Sequence, residues 1–368
     1  MKTIIKNQKE MRCGFTTGSC ATAATVSALE YYFSGKKVSS VMIDLPSGNE
    51  LEIEVIDNHL SGNKASSSVI KDAGDDPDVT HNIRITAIVT FTDSGFVLYG
   101  GKGVGTVTKV GLKVGVGESA INPVPREMIE KNARKIMQKY QYDKGIDIEI
   151  LAQNGEMIAK NTFNPRLGIV GGISILGTSG IVKPMSEEAL IDTIKLTIDR
   201  NKVTDNKNII ICPGNYGAYF SKHSMNIELD SVVLYSNFLG ETLDYLVYNS
   251  FENVLLVSHI GKLIKVAAGA MNTHSSTVDA RMEVLASHSA VAGMEKEKVK
   301  KILFSTMTKE ALEIIEESGL KEIIYESIRE RIAYHINFRV KGKLKVEFIC
   351  FDNDNNMLIR GNSSTSIK

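Results

Sequence analysis

The chain has 368 residues, and its 43 lysine and arginine side chains are balanced by 43 aspartate and glutamate side chains. The length predicts two domains, and the neutral balance excludes a global positive field that would attract nucleic acid or an anionic membrane. No apolar run approaches the roughly 20 residues of a membrane span, and the opening MKTIIKNQKEM lacks the apolar core of a signal peptide, so we expect a cytoplasmic protein.

The segment RCGFTTGSCATAA, residues 12–24, contains the start of a predicted helix of small residues over 20–32. Three interpretations compete: a metal or redox pair made by Cys13 and Cys20, a cysteine nucleophile, or a backbone cradle that holds an anion at the helix N-terminus. Cytosolic thiols usually stay reduced, and no C-x-x-C pair or histidine at zinc spacing is present. A nucleophile would need a base that the local sequence does not supply. Of the three functional interpretations the cradle fits best, with Thr16, Thr17 and Ser19 as ligands, but the local sequence alone favours an ordinary capped helix packed through its alanines.

Alternating apolar residues predict strands in the first part of the chain. VSSVMIDLP and ELEIEVI form a predicted hairpin, and IRITAIVTF and FVLYG form a predicted strand pair around the turn TDSG. PREMIEKNARKIMQKY predicts a helix opened by Pro125, followed by the strand IDIEIL. We expect residues 1–160 to form a mixed α+β domain with β-hairpins.

Buried strands alternate with helices in the second part. The order is the helix SEEALIDTIKLTIDR, the strands NIIICPG and SVVLYS, the helix GETLDYLVYNS and the strand NVLLVS, before long helices and a final hairpin of KVEFICFD with MLIRG. This alternation predicts a doubly wound parallel sheet. We expect residues 161–368 to form a Rossmann-like three-layer α/β domain.

Two glycine-rich loops are assigned to this α/β domain, where glycine lets a ligand approach the backbone at a strand end. The predicted cofactor-binding residues are Gly171, Gly172, Ser174, Gly177 and Thr178 in GGISILGTSG, and Gly214, Asn215, Tyr216 and Gly217 in CPGNYG. The dinucleotide-like GVGESA is rejected because prolines follow where the helix should run. In YGGKGVGTVT, Lys102 is a candidate ligand for carboxylate or phosphate, and a glycine-rich strand end fits equally.

Two polar stretches remain. KDAGDDPDVT carries four aspartates that suggest magnesium, but its spacing does not fit an EF-hand and favours a solvated turn. SHIGKLIKVAAGAMNTHSSTVDAR opens two predicted helices with cationic or hydrogen-bonding side chains, which suits a pocket for carboxylates. Its candidate substrate ligands are His259, Lys262, Asn272, His274 and Arg281.

The chain resembles the CbiD family, the cobalt-precorrin-5B C(1)-methyltransferases of anaerobic cobalamin synthesis, almost from end to end. The matching segments are GFTTGSCATAA, KDAGDDPDVT, GKGVGTVTKVGL, INPVPREMI, GGISILGTSGIVKPMSEEAL, PGNYG, SNFLGETLDY and GKLIKVAAGAMNTHSSTVDAR. Departures at Cys13, Asn82, Val110 and Ile260 affect loop stiffness and none of the polar candidates.

The resemblance implies methyl transfer from S-adenosylmethionine to C(1) of a cobalt-containing, ring-contracted tetrapyrrole, giving cobalt-precorrin-6A. Cobalt would arrive within the macrocycle, so no protein metal site is expected, and no catalytic side chain is assigned. A transient handover of the substrate from neighbouring pathway enzymes is compatible with it. Two alternatives stay open: a phosphotransferase that uses GGKGVG and the aspartates of GDDPD, and a non-catalytic tetrapyrrole-binding partner.

Overall fold

Two units of the chain, Met1–Glu187 (unit 1) and Glu188–Lys368 (unit 2), each pack around their own core. The structure is a computed structural model that describes residues 2–6, 8–202, 207–214, 217, 219–220 and 232–364. Among these residues, no helix combines the length and apolarity that a bilayer span requires. The sequence placed the boundary after residue 160, whereas the units meet at 187/188.

Unit 1 is a mixed α and β unit. Its helices are α1 Thr17–Ser34, α2 Pro123–Lys139, α3 Gly155–Ala159 and α4 Asn164–Leu167. Its strands are β1 Thr3–Lys6, β2 Lys9–Arg12, β3 Gly14–Phe15, β4 Ser40–Asp44, β5 Glu50–Glu54, β6 Asp57–Ser61, β7 Lys64–Ile70, β8 Arg84–Thr92, β9 Phe96–Gly100, β10 Gly103–Val104, β11 Thr106–Val107, β12 Gly145–Ala152, β13 Ile169–Val170, β14 Gly172–Ile173 and β15 Ile181–Val182.

The main sheet of unit 1 has the strand order β6-β7-β8-β12-β9. The predicted strands β8 and β9 exist, but they do not pair as a hairpin: β12 lies between them, antiparallel to β8 and parallel to β9. The reason is burial, because Ile146, Ile148 and Ile150 of β12 are fully buried and a central position pairs both edges of this apolar strand. The predicted hairpin of β4 and β5 is confirmed.

Helix α1 is the core of unit 1. Every residue from Thr17 to Leu29 is buried, and the helix packs against β7, β8, β4 and α2. Small side chains such as Ala21, Ala24 and Ala28 permit this close packing on several sides. The buried hydroxyls of Thr22 and Thr25 donate to carbonyls four residues earlier, which removes the cost of burying them.

Unit 2 has one mostly parallel sheet and several helices. Its helices are α5 Glu187–Lys202, which begins at the last residue of unit 1, α6 Leu239–Tyr248, α7 Ile260–Leu263, a 3₁₀ helix Ile264–Ala268, α8 Arg281–Val291, α9 Lys296–Phe304, α10 Thr308–Glu317 and α11 Lys321–Val340. Its strands are β16 Asn208–Cys212, β17 Val232–Leu234, β18 Asn253–His259, β19 Lys345–Phe351 and β20 Met357–Asn362. The sheet order is β17-β16-β18-β19-β20, parallel except for the predicted terminal hairpin of β19 and β20.

Candidate functional site

The carboxyl edge of the unit 2 sheet carries many of the predicted site residues. Strand β16 ends at Cys212 and its parallel neighbour β18 ends at His259. The chain passes from β16 to β17 on one side and then to β18 on the other, so the strand order reverses between β16 and β18. Ligands of open α/β sheets bind outside the carboxyl ends of the strands at such a reversal.

Gly214 and Gly217 follow β16 at this edge. Among the described residues, no heavy atom would lie within 4 Å of a Cβ added to Gly214, whereas a Cβ added to Gly217 would lie 2.9 Å from the carbonyl oxygen of Val257 in β18. Gly217 therefore packs closely against the sheet, and no described residue fills the space beside the backbone of Gly214. Two other predicted cofactor ligands, Asn215 and Tyr216, lie outside the described residues.

His259 lies at the same edge as a neutral side chain. Its Nδ1 accepts a hydrogen bond from the backbone N–H of Gly261 at 3.1 Å, and its Nε2 lies 2.9 Å from Oδ1 of Asn353. Because Nδ1 accepts, the proton resides on Nε2 and is donated to Asn353. Burial lowers the pKa of His259. The ring therefore caps α7 and is not the cation that a carboxylate clamp would require.

Lys262 and Lys265 hold the neighbouring loops together. The Lys262 Nζ donates to Oδ1 of Asn237 at 2.6 Å and to the carbonyl oxygen of Ser236 at 3.1 Å, and burial lowers its pKa. The buried Lys265 Nζ donates to the carbonyl oxygens of Val278 and Thr273 at 3.0 and 3.2 Å. These ammonium groups fasten the loop after β17 and the loop 271–280 beside α7.

The loop 271–280 carries the remaining predicted substrate ligands of unit 2. The backbone N–H of His274 donates to Oδ1 of Asn272 at 3.1 Å, and Nδ1 of His274 lies 2.6 Å from Oγ of Ser276. Arg281 forms two hydrogen bonds with Asp279, at 2.6 and 2.8 Å, which satisfy most of its charge locally. The structure thus brings Lys262, Asn272 and His274 into one loop cluster. The cations of this region, Lys262 and Arg281, already form hydrogen bonds with protein groups.

The loop GGISILGTSG belongs to unit 1, and its predicted place in the α/β domain is wrong. Its strand β14 pairs with β10, and its next residues lie against the start of α1. The Thr17 hydroxyl accepts from the N–H of Leu176 at 2.9 Å, and the Ser19 hydroxyl donates to the carbonyl oxygen of Gly180 at 2.6 Å. A Cβ on Gly177 would lie 2.4 Å from Oγ1 of Thr16.

The loop of residues 12–19, where an anion was expected to bind, is therefore filled by protein atoms. Thr16 caps α1 by accepting from the N–H of Ser19, and the N–H of Gly18 donates to the carbonyl oxygen of Leu176. Hydroxyls and amides that were expected to bind an anion instead fasten residues 174–180, because a buried polar group needs a partner and the second loop supplies it. Within that loop the side chain of Ser174 donates to Asn164, while Gly171 and Thr178 are exposed.

The glycines around Lys102 are explained by close packing. A Cβ on Gly103 would lie 1.9 Å from the carbonyl oxygen of Ala152, and Cβ atoms on Gly155 or Gly172 would each lie 2.1 Å from the carbonyl oxygen of Gly103. Three backbone segments cross here with no room for side chains or for a phosphate. The side chain of Lys102 itself is exposed.

The aspartates of KDAGDDPDVT are used by the protein, which removes the magnesium site of the phosphotransferase hypothesis. Asp72 forms an ion pair with Arg12, and Asp78 lies 2.5 Å from the buried ammonium of Lys71. Asp75 and Asp76 accept backbone N–H groups, from Arg12 and Met185. Over the described ranges, no group of three or more histidine, cysteine or acidic side chains could hold a metal ion.

The buried thiols are expected to be unreactive in the native protein. Cys13, Cys20, Cys212 and Cys350 are all free and buried, and burial raises the pKa of Cys20 to about 12. A thiol that stays protonated is neither a nucleophile nor a metal ligand. We expect an aromatic disulfide reagent to react with all four only after the protein unfolds. Rapid modification of Cys20 in native protein, followed by loss of activity, would contradict this prediction.

Asn237, Lys265 and Asn353 were not singled out from the sequence. Asn237 lies in the motif SNFLGETLDY, shortly after the end of β17. This position beyond a strand end is the feature of the sequence that could have identified it as a candidate. The partnership of His259 with Asn353 joins residues 94 positions apart, which no local pattern reveals.

Comparison with known proteins identifies the chain's family. The family described as CbiD matches residues 4–184, and that described as CbiD, C-terminal domain matches residues 272–362. Relatives named cobalt-precorrin-5B C(1)-methyltransferase come from Ruminiclostridium cellulolyticum, 45% identical over 96% of this chain and 92% of its own, and Methanocaldococcus jannaschii, 42% identical over 93% and 94%. A crystal structure of cobalamin biosynthesis protein (cbiD) from Archaeoglobus fulgidus is 29% identical, covering 76% of this chain and 86% of that one, with a TM-score of 0.42. The chain belongs to the CbiD family.

Proposed function

We propose that this protein methylates C(1) of cobalt-precorrin-5B, with S-adenosylmethionine as the methyl donor, to give cobalt-precorrin-6A in cobalamin synthesis. The observation that carries the proposal is 45% identity over 96% of the chain to a relative that bears this name. The cysteines are buried, and Asp72 and Asp78 form ion pairs, so these residues supply neither a nucleophile nor a magnesium site. This agrees with a transferase that works by orienting its substrates.

For the methyl donor we propose the carboxyl edge of the unit 2 sheet, which we assign to the Rossmann-like class. Parallel strands β17, β16, β18 and β19 and the reversal beside β16 support this assignment. The space beside Gly214 suits a ligand that approaches the backbone closely. Neutral His259 and the amide of Asn353 would border the ligand as polar groups without charge.

The chemistry requires little from acid or base groups. The donor supplies an electrophilic sulfonium methyl group, and the macrocycle supplies an electron-rich ring carbon. The protein's task is then to orient the two and to exclude water, for which effective molarities of about 10⁵ M or more are known. The loop cluster fixed by Lys262 and Lys265 provides the rigid surface that such orientation requires.

An anaerobic assay with cobalt-precorrin-5B and methyl-labelled S-adenosylmethionine tests the proposal directly. Label should appear in the tetrapyrrole product only when both ligands and the protein are present. Binding of the tetrapyrrole without any transfer would favour the non-catalytic partner, and label transferred from ATP would favour the phosphotransferase.

Gly214→Val is expected to weaken donor binding by at least about tenfold, or about 1.4 kcal/mol. The new side chain occupies the space beside the backbone, and folding should survive because no heavy atom of a described residue lies within 4 Å of the added Cβ. Calorimetric titration with S-adenosylmethionine measures the effect. Gly115→Val in unit 1 is the control, since only the flexible end of Glu118 lies near its Cβ. Equal affinity in the two variants would exclude the Gly214 loop as a donor site.

A further inference from the structure

Two segments of unit 1 carry only positive charge. Residues 101–117 and 157–186 contain six basic residues and neither aspartate nor glutamate, although the whole chain has equal numbers of basic and acidic residues. The basic residues are Lys102, Lys109, Lys113, Lys160, Arg166 and Lys183. A concentration of one sign on a neutral protein creates a local positive potential that attracts anions.

Two short strand pairs join the two segments to each other. Parallel pairing joins Gly103 of β10 to Gly172 of β14, and antiparallel pairing joins Thr106 of β11 to Val170 of β13. The N–H of Thr108 adds a bond to the carbonyl oxygen of Gly168. Backbone hydrogen bonds therefore hold the two segments that carry these charges side by side.

Large apolar side chains are exposed along the same two segments. Because Thr106 and Val170 pair directly, their side chains share the outer face, while Val107 and Ile169 are buried on the inner one. Val170 is 58% exposed. The other exposed large apolar residues of the two segments are Val110, Val116, Met157, Phe163, Leu176 and Met185. An apolar patch bordered by charges is typical of a ligand surface.

Three of these basic side chains remain available to a ligand. Within the part of the chain that the structure describes, Lys102, Lys113 and Arg166 have no carboxylate at ion-pair distance and are exposed. The cations first expected to bind carboxylates in unit 2 differ: Arg281 is bonded to Asp279, and Lys262 to Asn237. Charge complementarity thus favours unit 1 for a polyanionic ligand.

We propose that the face formed by residues 101–117 and 157–186 binds the tetrapyrrole substrate. The apolar ring packs on Val170 and its exposed neighbours, and the acetate and propionate arms bind Lys102, Lys113 and Arg166. The inference rests on the proposed function, because that function makes the substrate a flat macrocycle with several carboxylates. On this proposal the substrate carboxylates bind unit 1 and not the loops of His259 and Arg281, where the sequence also predicted carboxylate ligands.

Equilibrium binding of cobyrinic acid, a stable corrinoid with free acetate and propionate arms, tests the proposal in the full-length protein. The combined variant Lys102→Gln, Lys113→Gln, Arg166→Gln should weaken binding by at least about tenfold at low salt, with a smaller salt dependence than the unmodified protein. The fully esterified corrinoid should bind both proteins equally. The matched control replaces Lys36, Lys37 and Lys64, exposed lysines of the same unit, with glutamine.

The possible outcomes separate the binding face from the proposed function. Control and test variants that bind cobyrinic acid alike would overturn the face, as would equal losses for the acid and its ester, or no binding by the unmodified protein. Methyl transfer by the unmodified protein is measured independently, so its absence would overturn the function alone. Unchanged S-adenosylmethionine affinity in the test variant is expected, since its substitutions lie outside the proposed donor site.

Discussion

Asp78→Ala is expected to lower the free energy of unfolding by about 3 to 5 kcal/mol. The Lys71 side chain is only 2% exposed, and its Nζ lies 2.5 Å from Oδ2 of Asp78. Removing the carboxylate leaves a buried ammonium without a counter-charge, which is far more costly than losing an exposed ion pair. Urea unfolding, followed by circular dichroism, measures the loss.

A double variant separates this cause from a general packing defect. Lys71→Met combined with Asp78→Ala removes both charges and should recover much of the lost stability, because an apolar side chain replaces the buried ammonium. A double variant no more stable than Asp78→Ala alone would show that the charge is not responsible. Activity in the recovered variant should return with the fold, since neither residue is assigned to a ligand.

The same ion pair predicts a dependence of stability on pH. Burial by itself raises the pKa of Asp78, but the ammonium of Lys71 and hydrogen bonds from Lys71 and Thr80 outweigh it, so the pKa is lowered. A carboxyl group whose pKa is lowered on folding stabilises the native state above its unfolded pKa of about 3.9. That stability is lost as the pH falls through the lower folded pKa. Asp78→Ala should therefore show a smaller loss of stability in acid than the unmodified protein.

Gly103→Ala is expected to destabilise unit 1 much more than Gly117→Ala. Both glycines have positive φ, +82° and +88°, so alanine pays a similar backbone penalty of about 1 to 2 kcal/mol at either position. At Gly103 the added Cβ would also lie 1.9 Å from the carbonyl oxygen of Ala152, whereas at Gly117 no heavy atom lies within 4 Å. The clash adds about 1 to 3 kcal/mol.

Parallel urea titrations of the two variants measure the difference. Because their φ angles are similar, the contrast isolates the close approach of three chain segments at Gly103. Similar stabilities would mean that the backbone around Gly103 can move apart. In that case the glycines of GGKGVG would again be free to surround a ligand.

Local patterns in the sequence determined which segments form most of the strands and helices. Strand β8 shows the predicted alternation of buried and half-buried residues, and α5 and the hairpin of β19 with β20 lie where the patterns indicated. Periodicity succeeds here because it reports which face of a segment is buried. The long motifs also determined the family, since their residues and their order along the chain can be read from the sequence without knowledge of the fold.

Only the tertiary structure decided which segments lie together. Strand β12 entered between β8 and β9, and GGISILGTSG docked on Thr17 in unit 1, because pairing depends on which distant segment best buries a shared face. The candidate ligands were changed by the same contacts. Burial and the N–H of Gly261 keep His259 neutral, and Asp279 pairs with Arg281, while Lys102 stays exposed. A residue's type fixes the interactions it can make, and the folded neighbours fix which of them remain for a ligand.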